Sequence, residues 1–296
     1  MTISPTGEAW AVPVSDALAV TPEPWLAGKV ALVVGGGLSG PEGGVGFAIA
    51  WLCARSGAAV AILDRDPAAG ARTVDAIREA GGDAEYFPVD VTDDDSVATA
   101  VTAAAERFGR FDVVADSIGG GGVQPMFDAS PEQFEAAMRL NFTAVWYVMR
   151  HAQRHIDRGG SMVTISSGAA EGRGPGLPYS FGKAALEKLT SGAAGSLAAR
   201  GIRANCVRVG MIWGAFAARG MTEEQRVLRA DNVMLQTEGN NWDIARAAFF
   251  LLTDQARWIT GQTITVDGGG FRMTGNSGAA GSNSSRSSET ATAAAR

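Results

Sequence analysis

Short apolar runs rich in β-branched residues alternate along the chain with longer segments in which apolar residues recur every three to four positions. Runs of the first kind predict strands buried on both faces, and segments of the second kind predict helices packed on a sheet. The predicted strands are 29–34, 59–63, 86–89, 111–115, 161–166, 203–209 and 263–266. The predicted helices that follow them include 67–80, 92–108, 130–156, 178–200 and 242–252.

Two of these helices have recognisable starts. Thr92 with Asp95 three residues later predicts a capped start for the helix that reaches Phe108. Ser130-Pro131-Glu132-Gln133 combines a capping Ser, Pro at the first helical position and Gln to complete a capping box. The second signal begins a long helix that contains Asn141.

Parallel neighbours in a sheet need long crossover connections, and these are usually helical. The alternation therefore predicts an α/β fold: a single doubly wound Rossmann-type domain with a seven-stranded parallel sheet and helices on both faces. Residues 275–296 contain no large apolar side chain and bury too little to offset the entropy of ordering. We predict an N-terminal extension over 1–27, the folded domain over 28–274 and a disordered Gly/Ser/Ala-rich tail over 275–296.

Composition excludes several classes of function. The formal charge of −6 leaves no basic surface for nucleic acid, and no apolar run approaches the roughly 20 residues of a membrane span. Cys53 and Cys206 form neither a disulfide framework nor a Cys-x-x-Cys pair. His151 and His155 are one helical turn apart but have no evident third ligand, so no metal site is expected. Because no Lys or Arg precedes Lys29, no signal peptide is predicted, and the expected location is cytoplasmic.

The segment after the first predicted strand is unusually rich in glycine. It reads Gly-Gly-Gly-Leu-Ser-Gly-Pro-Glu-Gly-Gly-Val-Gly over 35–46. Backbone amides without side chains can approach a pyrophosphate, and the next helix adds the positive end of its dipole. No Lys follows the loop, which argues against an NTPase. The loop predicts a dinucleotide site that includes Gly35, Gly37, Gly44, Val45 and Gly46; the alternative is a flexible turn without a ligand.

Asp64 follows at the end of the second predicted strand, 18 residues after Gly46. A carboxylate at this position can accept both ribose hydroxyls of an adenosine and repels a 2′-phosphate, so NAD is favoured over NADP as cofactor. Arg65 beside it weakens that preference. An ordinary strand-end residue is the alternative interpretation of Asp64.

Tyr179 and Lys183 are four residues apart at the start of a predicted helix, so their side chains share one face. Proton transfer by a tyrosine near neutral pH requires its pKa of about 10 to fall by roughly 2–3 units. A neighbouring ammonium can supply much of this. Alone, the spacing is common by chance, and a surface pair is the alternative.

Several further segments stand in a characteristic order after the glycine loop and Asp64. They are Asp90-Val91, Asn141, Ile165-Ser166-Ser167, Tyr179-Ser-Phe-Gly-Lys183 and Thr260-Gly-Gln-Thr-Ile-Thr-Val-Asp267-Gly-Gly. In the order and spacing of these segments, residues 28–271 resemble the short-chain dehydrogenase/reductase family, in particular members with an extended glycine-rich first loop.

The resemblance implies a role for each matching residue. Tyr179 would exchange a proton with the substrate oxygen, Ser167 would hold that oxygen, Lys183 would bind the nicotinamide ribose and lower the tyrosine pKa, and Asn141 would hold a proton-relaying water. The serine is ambiguous, because the family's commonest spacing to tyrosine selects Ser166, while the end of the strand favours Ser167. The cofactor would also contact Asp90, Val91, Ser117, Gly119, Gly210 and Ile212.

The chain departs from the family pattern around the cofactor site. Val34 replaces the usual Thr before the first glycine, and the loop to Gly44 is about five residues longer than is typical of the family. Asp116-Ser117-Ile118-Gly119 replaces Asn-Asn-Ala-Gly, Val209-Gly210 replaces Pro-Gly, and Gly214 replaces a Thr. These changes remove supporting hydrogen bonds or rigid turns, so they bear more on cofactor affinity than on the fold.

The resulting hypothesis is an NAD(P)-dependent alcohol dehydrogenase or ketoreductase that interconverts a secondary alcohol and a ketone. Met211, Ile212, Trp213 and the segment to Phe216, with Met221, fall where the family places its substrate lobe and favour an apolar cyclic or aromatic substrate; packing in a core or interface is the alternative. Glu171 and Arg173 are candidate polar contacts. The competing hypotheses are a catalytically weak dinucleotide-binding regulatory or scaffold protein and an NADPH-driven ketoreductase. The resemblance also implies a homotetramer or homodimer.

Overall fold

The computed structural model describes residues 23–41, 43–121, 124–172, 177–214, 222–231 and 233–270. Its strands are β1 (Val30–Val34), β2 (Ala59–Asp64), β3 (Ala84–Pro88), β4 (Phe111–Asp116), β5 (Ile156–Ser167), β6 (Arg203–Val209), β7 (Ile212–Trp213), β8 (Gly239–Asn240) and β9 (Thr263–Val266). Seven of them form a parallel sheet in the order β3-β2-β1-β4-β5-β6-β9. The predicted fold class is confirmed. Residues 1–22 of the predicted extension, and the tail over 275–296, lie outside the described residues.

Most strand boundaries differ from the prediction by at most one residue, and the larger differences are at β3 and β5. Strand β3 pairs with β2 from Ala84 to Pro88, and Val89 already lies beyond the strand, where its N–H donates to the carbonyl of Asp64 at 3.1 Å. Strand β5 begins earlier than predicted, because Ile156 pairs with Phe111 before the register shifts. Both differences arise from pairing with a neighbouring strand, which a local apolar pattern does not encode.

The central strands are buried on both faces, as continuous apolar runs predict. All five residues of β1 are buried: Ala31 and Val33 belong to one apolar core, while Val30, Leu32 and Val34 belong to a second core on the opposite face. The alternation along one strand thus divides the interior into two layers. The carboxyl ends of β1 and β4 lie side by side at one edge, because Val34 pairs with Asp116.

The helices cover both layers. They are α1 (Val45–Arg55), α2 (Pro67–Glu79), α3 (Asp94–Phe108), α4 (Pro131–Met138), α5 (Ala144–Ala152), α6 (Pro178–Leu197), α7 (Glu223–Asp231) and α8 (Asn241–Leu252). No helix among the described residues combines the length and the apolar character needed to cross a membrane.

The predicted helix starts are partly confirmed. Helix α4 begins with the capping box expected at Ser130 and Gln133. Helix α3 is capped by Asp93 rather than by Thr92, because Asp93 accepts from the N–H of Asp95 while the hydroxyl of Thr92 donates to Asp90. The prediction of Thr92 as the cap was wrong by one residue.

The long helix predicted over 130–156 is interrupted. A π-helical turn over Arg139–Thr143 separates α4 from α5, and α5 ends at Ala152. The extra residue in a π turn displaces the backbone locally, and such turns are frequent at functional sites. Here the turn contains Asn141, whose side chain is fully buried.

A smaller two-stranded sheet stands beside the carboxyl end of the main sheet. Strand β7 pairs with β8, and Arg226 of α7 binds Glu238 through a forked ion pair while its guanidinium lies 4.1 Å from the ring centre of Trp213. This assembly is in the region predicted as the substrate lobe. Phe216 and Met221, which belong to the same prediction, lie outside the described residues.

Candidate active site

The first glycines of the loop pack directly against the end of β4. A side chain on Gly46 would place its Cβ 2.0 Å from the carbonyl oxygen of Gly35, and one on Gly35 would lie 2.8 Å from the carbonyl oxygen of Ser117. Gly35 also has a positive φ of 74°. Only glycine permits this approach, which brings Gly35, Gly46 and Ser117 together as predicted.

The start of α1 is open to a ligand. Its N-cap, Gly44, provides no side-chain hydrogen bond, and a Cβ on Gly44 would meet no atom within 4 Å. Helix N-termini carry backbone amides and a partial positive charge that suit an anion. The cradle formed by Gly44, Val45 and Gly46 therefore fits a pyrophosphate group.

The extended loop is fixed to helix α2 by contacts that the sequence did not reveal. The buried hydroxyl of Thr73 donates to the carbonyl of Gly36 at 2.9 Å and accepts from the N–H of Leu38 at 2.8 Å. Arg72 donates to the carbonyl of Leu38 at 2.9 Å. These bonds hold Gly36 and Leu38 against α2.

Asp64 lies at the edge of this loop. Its carboxylate accepts from the N–H of Gly37 at 2.8 Å and from the N–H of Asp66 at 3.0 Å. A Cβ on Gly37 would lie 2.7 Å from Oδ2 of Asp64, so that contact requires glycine. The carboxylate therefore contacts the glycine loop at Gly37 and helps to order it.

Asp90 follows the neighbouring strand β3. Its carboxylate accepts from the N–H and hydroxyl of Thr92 at 2.9 and 2.7 Å, and these bonds hold the pKa of Asp90 below its usual value. Asp90 and Val91 therefore lie in a tight turn next to the end of β2.

Tyr179 and Ser167 meet at the carboxyl edge of the sheet. The two side chains are neighbours, and Ser167 accepts from the N–H of Ala169 at 3.2 Å. Burial raises the pKa of Tyr179 above its usual value of 10, although the nearby Ser167 hydroxyl acts in the opposite direction. The sequence predicted a lowered pKa instead; in this structure desolvation of the phenol outweighs the influence of its neighbours.

Ser166 faces the opposite way from Ser167. Its hydroxyl is buried and donates to Oε1 of Glu187 on α6 at 2.7 Å. Successive residues of a strand point to opposite faces, so only one of the two serines is directed to Tyr179. The geometry favours Ser167 for the role left open by the sequence.

Lys183 is almost fully buried beside this pair. Its ammonium donates to the carbonyls of Ile118 at 2.7 Å and Ile165 at 2.8 Å, and lies 6.0 Å from the centre of the Tyr179 ring. Burial lowers the pKa of Lys183 to about 8, and the charge of Asp116 opposes this. A Cβ on Gly119 would lie 2.7 Å from Nζ, so a side chain there would displace the ammonium.

Asn141 supports the turn next to Lys183. Its side-chain carbonyl accepts from the N–H of Gly120 at 3.1 Å, and its amide donates to the carbonyls of Gly120 and Ala137, both at 2.9 Å. The π turn is what directs this side chain inward. The structure thus brings Asn141, Ser167, Tyr179 and Lys183 into one region.

Asp116 adds a buried carboxyl group to which the sequence assigned no role. Its Oδ1 accepts from the N–H of Ile118 at 3.1 Å, while Oδ2 is buried without a hydrogen-bond partner. Burial raises the pKa of Asp116 to about 7, even though the charge of Lys183 lowers it. Its position where the family has Asn is the sequence signal that marks it.

A cavity of about 190 Å³ opens beside Ser167. Its walls include Ala169, Glu171, Met211, Val233 and Asp267. Gly210 lies in the same wall. It packs closely on Asp267, because a Cβ on Gly210 would be 2.2 Å from the Cβ of Asp267.

The glycine loop also contacts the N-terminal end of α8. The amide of Asn241 donates to the carbonyl of Gly43 at 3.0 Å, and a Cβ on Gly214, which directly follows β7, would lie 2.7 Å from Oδ1 of Asn241. The same side chain therefore contacts both the loop and the segment after Ile212. Within the described part of the chain, no three His, Cys, Asp or Glu side chains form a metal-binding group.

Proteins with known activities are similar to this chain over most of its length. A family model described as Enoyl-(Acyl carrier protein) reductase matches residues 40–270. The chain is 31% identical over 250 residues to the 7alpha-hydroxysteroid dehydrogenase of Escherichia coli (strain K12), with 83% of this chain and 96% of that protein covered. It is 35% identical over 237 residues to the cis-4-hydroxycyclohexanecarboxylate dehydrogenase of Sinomonas cyclohexanicum, with 78% and 94% covered.

Solved structures show the same similarity. A dehydrogenase/reductase from Sinorhizobium meliloti 1021 superimposes with a TM-score of 0.77 at 32% identity, covering 86% of this chain and 98% of that one. A short-chain dehydrogenase from Burkholderia cenocepacia J2315, solved in complex with NADP, superimposes with a TM-score of 0.75 at 31% identity, covering 82% and 98%.

Proposed function

The chain belongs to the short-chain dehydrogenase/reductase family, and from this premise we propose that it interconverts a secondary alcohol and a ketone with a nicotinamide dinucleotide. The observation that carries the proposal is the pair of neighbouring hydroxyls on Ser167 and Tyr179 beside the buried ammonium of Lys183. The pair stands at the carboxyl edge of the sheet, where ligands of such folds bind.

The glycine cradle fits the cofactor. Gly35, Gly37 and Gly44–Gly46 would receive its pyrophosphate, Asp64 the adenosine ribose, and Asp90 and Val91 the adenine. Ser117, Gly119, Gly210, Ile212, Tyr179 and Lys183 would line the nicotinamide half. When bound, the cofactor supplies or accepts the hydride, and the protein provides placement and electrostatics.

Each side chain of the site has a separate proposed role in binding the substrate or transferring a proton. Ser167 would hold the substrate oxygen by a hydrogen bond, and Tyr179 would give a proton to that oxygen or take one from it. Burial raises the pKa of the Tyr179 phenol. A nearby positive charge must therefore lower that pKa before the phenol can transfer a proton near neutral pH. Lys183 is placed to supply part of that charge, and Asn141 keeps the turn at Gly120 in position beside it.

We propose a cyclic, largely apolar alcohol as the substrate. Two relatives, by their names, act on a hydroxysteroid and on a hydroxycyclohexanecarboxylate. The cavity beside Ser167 is lined in part by Ala169, Met211 and Val233, which suits a carbocycle.

Tyr179→Phe tests the proposed chemistry. The wild type is expected to reduce the cofactor in the presence of some alcohol from a panel of cyclic secondary alcohols. The variant keeps the ring but loses the hydroxyl, so kcat should fall by at least about 10³-fold, while its melting temperature and its dissociation constant for the cofactor stay close to wild type. A wild type that binds the cofactor but oxidises no alcohol and reduces no ketone would support the regulatory or scaffold protein instead.

We propose NAD as the preferred form of the cofactor because the Asp64 carboxylate, if it receives the adenosine ribose as proposed above, would repel a 2′-phosphate. The ratio of kcat/KM for NAD to that for NADP should exceed about 10 and should fall toward 1 in Asp64→Asn, which keeps an acceptor for Gly37 but loses the charge. A wild type that prefers NADPH would favour the alternative of an NADPH-driven ketoreductase. The complex of the Burkholderia cenocepacia protein with NADP is consistent with that alternative.

A further inference from the structure

We propose that Glu187 and Arg208 are positioning residues, which hold the strand end that carries Ser167 against the helix that carries Tyr179 and Lys183. The inference rests on the proposed function, because it concerns the geometry of the same site. Neither residue matches a motif in the sequence, and both lie behind the site rather than in the cavity.

Their backbone positions place them between the catalytic elements. In the sheet, Ser166 of β5 pairs with Arg208 of β6, and Arg208 pairs with Thr265 of β9. Residues in one such row point to the same face of the sheet, and α6 covers this face. Glu187 comes one helical turn after Lys183 and two turns after Tyr179, so the three side chains form one stripe along α6.

The contacts join these elements into one ionic cluster. The Arg208 guanidinium donates to Glu187 in a fork, with Nε at 2.9 Å from Oε1 and Nη2 at 2.6 Å from Oε2. Its Nη1 donates to Glu171, the last residue of the short helical turn that directly follows Ser167. Ser166 donates to Oε1 of Glu187 at 2.7 Å, so the residue before Ser167 is bound to the same carboxylate.

The cluster is shielded from solvent. The side chains of Arg208 and Glu187 are only 17% and 14% exposed. A forked Arg–carboxylate pair has a defined geometry, and in such surroundings the loss of one partner leaves an uncompensated charge. Because Ser166 and Glu171 flank Ser167 along the chain, any shift of the cluster moves Ser167 relative to Tyr179. A displacement of about 1 Å at a reacting group can lower a rate by roughly 100-fold.

The experiment compares Glu187→Gln, Glu187→Ala and Arg208→Lys with the wild type. Gln keeps an acceptor for Ser166 but loses the charge, Ala loses both, and Lys keeps the charge but loses the fork. We expect kcat to fall about 10-fold in Glu187→Gln and Arg208→Lys and about 100-fold in Glu187→Ala. KM for the alcohol and the dissociation constant of the cofactor should change by less than about 3-fold in Glu187→Gln, because this variant leaves every side chain that lines the cavity, Glu171 included, in place.

Hydrogen exchange gives a readout that needs no turnover. The amides of Ala169 and Gly172 are bonded within the turn after Ser167, and they should exchange at least about 10-fold faster in Glu187→Ala. Amides of β1 should keep the wild-type rate. The matched control is Glu85→Gln, which removes the charge from an exposed ion pair with Arg107 and should leave both kcat and exchange unchanged.

Each outcome decides one of the two proposals. Unchanged exchange in Glu187→Ala, or faster exchange with kcat within 2-fold of wild type in all three variants, would overturn the positioning role. A fall of kcat in Glu187→Gln with the melting temperature retained supports it, even where Glu187→Ala is too unstable to assay. Faster exchange in a protein whose wild type turns over no alcohol or ketone would overturn the proposed function and leave the structural role of the cluster intact.

Discussion

At the scale of single residues, Asp116 is the departure from the family pattern with the clearest physical cost. It is 2% exposed, Oδ2 has no hydrogen-bond partner, and the carboxyl pKa is raised to about 7. A buried carboxylate without full hydrogen bonding is disfavoured in its charged form. The folded protein therefore holds a proton on Asp116 over a range of pH in which the unfolded chain has released it.

The effect on stability has a definite sign. The pKa of Asp116 is about 7 in the folded protein and 3.8 in the unfolded chain. Between these two pH values the folded state therefore binds more protons than the unfolded state. Stability contributed by neutral Asp116 is present below about pH 4 and is lost as the pH rises to 7 and above. Asp116→Asn keeps the acceptor for Ile118 and removes this loss.

We therefore compare the free energy of unfolding of Asp116→Asn with that of the wild type. The variant's advantage should be about 2 kcal/mol larger at pH 8 than at pH 5. Urea unfolding at both pH values measures the difference. Asp112→Asn on the same strand is the control, since that side chain accepts from the N–H of Val30 at the opposite end of β4. An equal change at both pH values in Asp116→Asn would contradict the assignment of a raised pKa.

The residues of the site also show how much of it could be predicted from the sequence. Tyr179 and Lys183 were identified by type and spacing and Asn141 by the family resemblance, and the structure brings them together. Glu187 was not identified, because its meaning depends on Arg208, which lies 21 residues away in sequence but opposite it in the fold. The pKa of Tyr179 was expected to fall on the basis of one neighbour, whereas burial, which a sequence does not quantify, raises it.

At the scale of elements, the extended glycine loop depends on α2. Thr73 has no exposed surface, and its hydroxyl joins Gly36 and Leu38 to the helix. Gly36 and Leu38 are therefore held in place before a ligand binds. The entropy of ordering them then does not weaken the binding of a ligand.

Thr73→Val removes that hydroxyl without changing the shape of the side chain. The variant should lose about 1–3 kcal/mol of stability, because the carbonyl of Gly36 is left without its donor. Its affinity for NAD should fall about 10-fold by titration calorimetry, and Thr73→Ser, which keeps the hydroxyl, should bind as the wild type does. Unchanged affinity in Thr73→Val would mean that the loop needs no support from α2.

The elements themselves were predicted with uneven success for identifiable reasons. Strands buried on both faces have a strong local signal, and so the seven strands of the sheet were found. The π turn at Arg139–Thr143 was not, because it depends on the bonds of Asn141 to Gly120 across the fold. The cap of α3 was predicted one residue early because the Thr92 hydroxyl is bonded to Asp90, and Asp93 accepts from the N–H of Asp95 instead.

At the scale of the whole molecule, two large aromatic side chains are exposed on helices that cover the sheet. Trp146 of α5 is 43% exposed and Phe181 of α6 is 42% exposed. The family resemblance implies a homotetramer or homodimer, and exposed aromatic residues on helices suit such a contact. We propose that two copies of the chain bury these side chains against each other.

The mass in solution tests this proposal. The wild type should elute as a dimer or tetramer of the 30.5 kDa chain in light-scattering chromatography. The double variant Trp146→Glu/Phe181→Glu should halve that mass, because two charges would have to be buried at each contact. Leu228→Glu, at an exposed position of α7, should leave the mass unchanged. A wild type that elutes as a monomer would contradict the proposal.

The bond from Asn241 to Gly43 spans 198 residues of sequence. It joins the glycine loop, just before the start of α1, to the helix that follows the small β7–β8 sheet. We expect this link to favour binding of the two ligands in a fixed sequence, the dinucleotide first and the alcohol second. Product inhibition would then follow the pattern of a compulsory-order enzyme, and a random-order pattern would contradict this expectation.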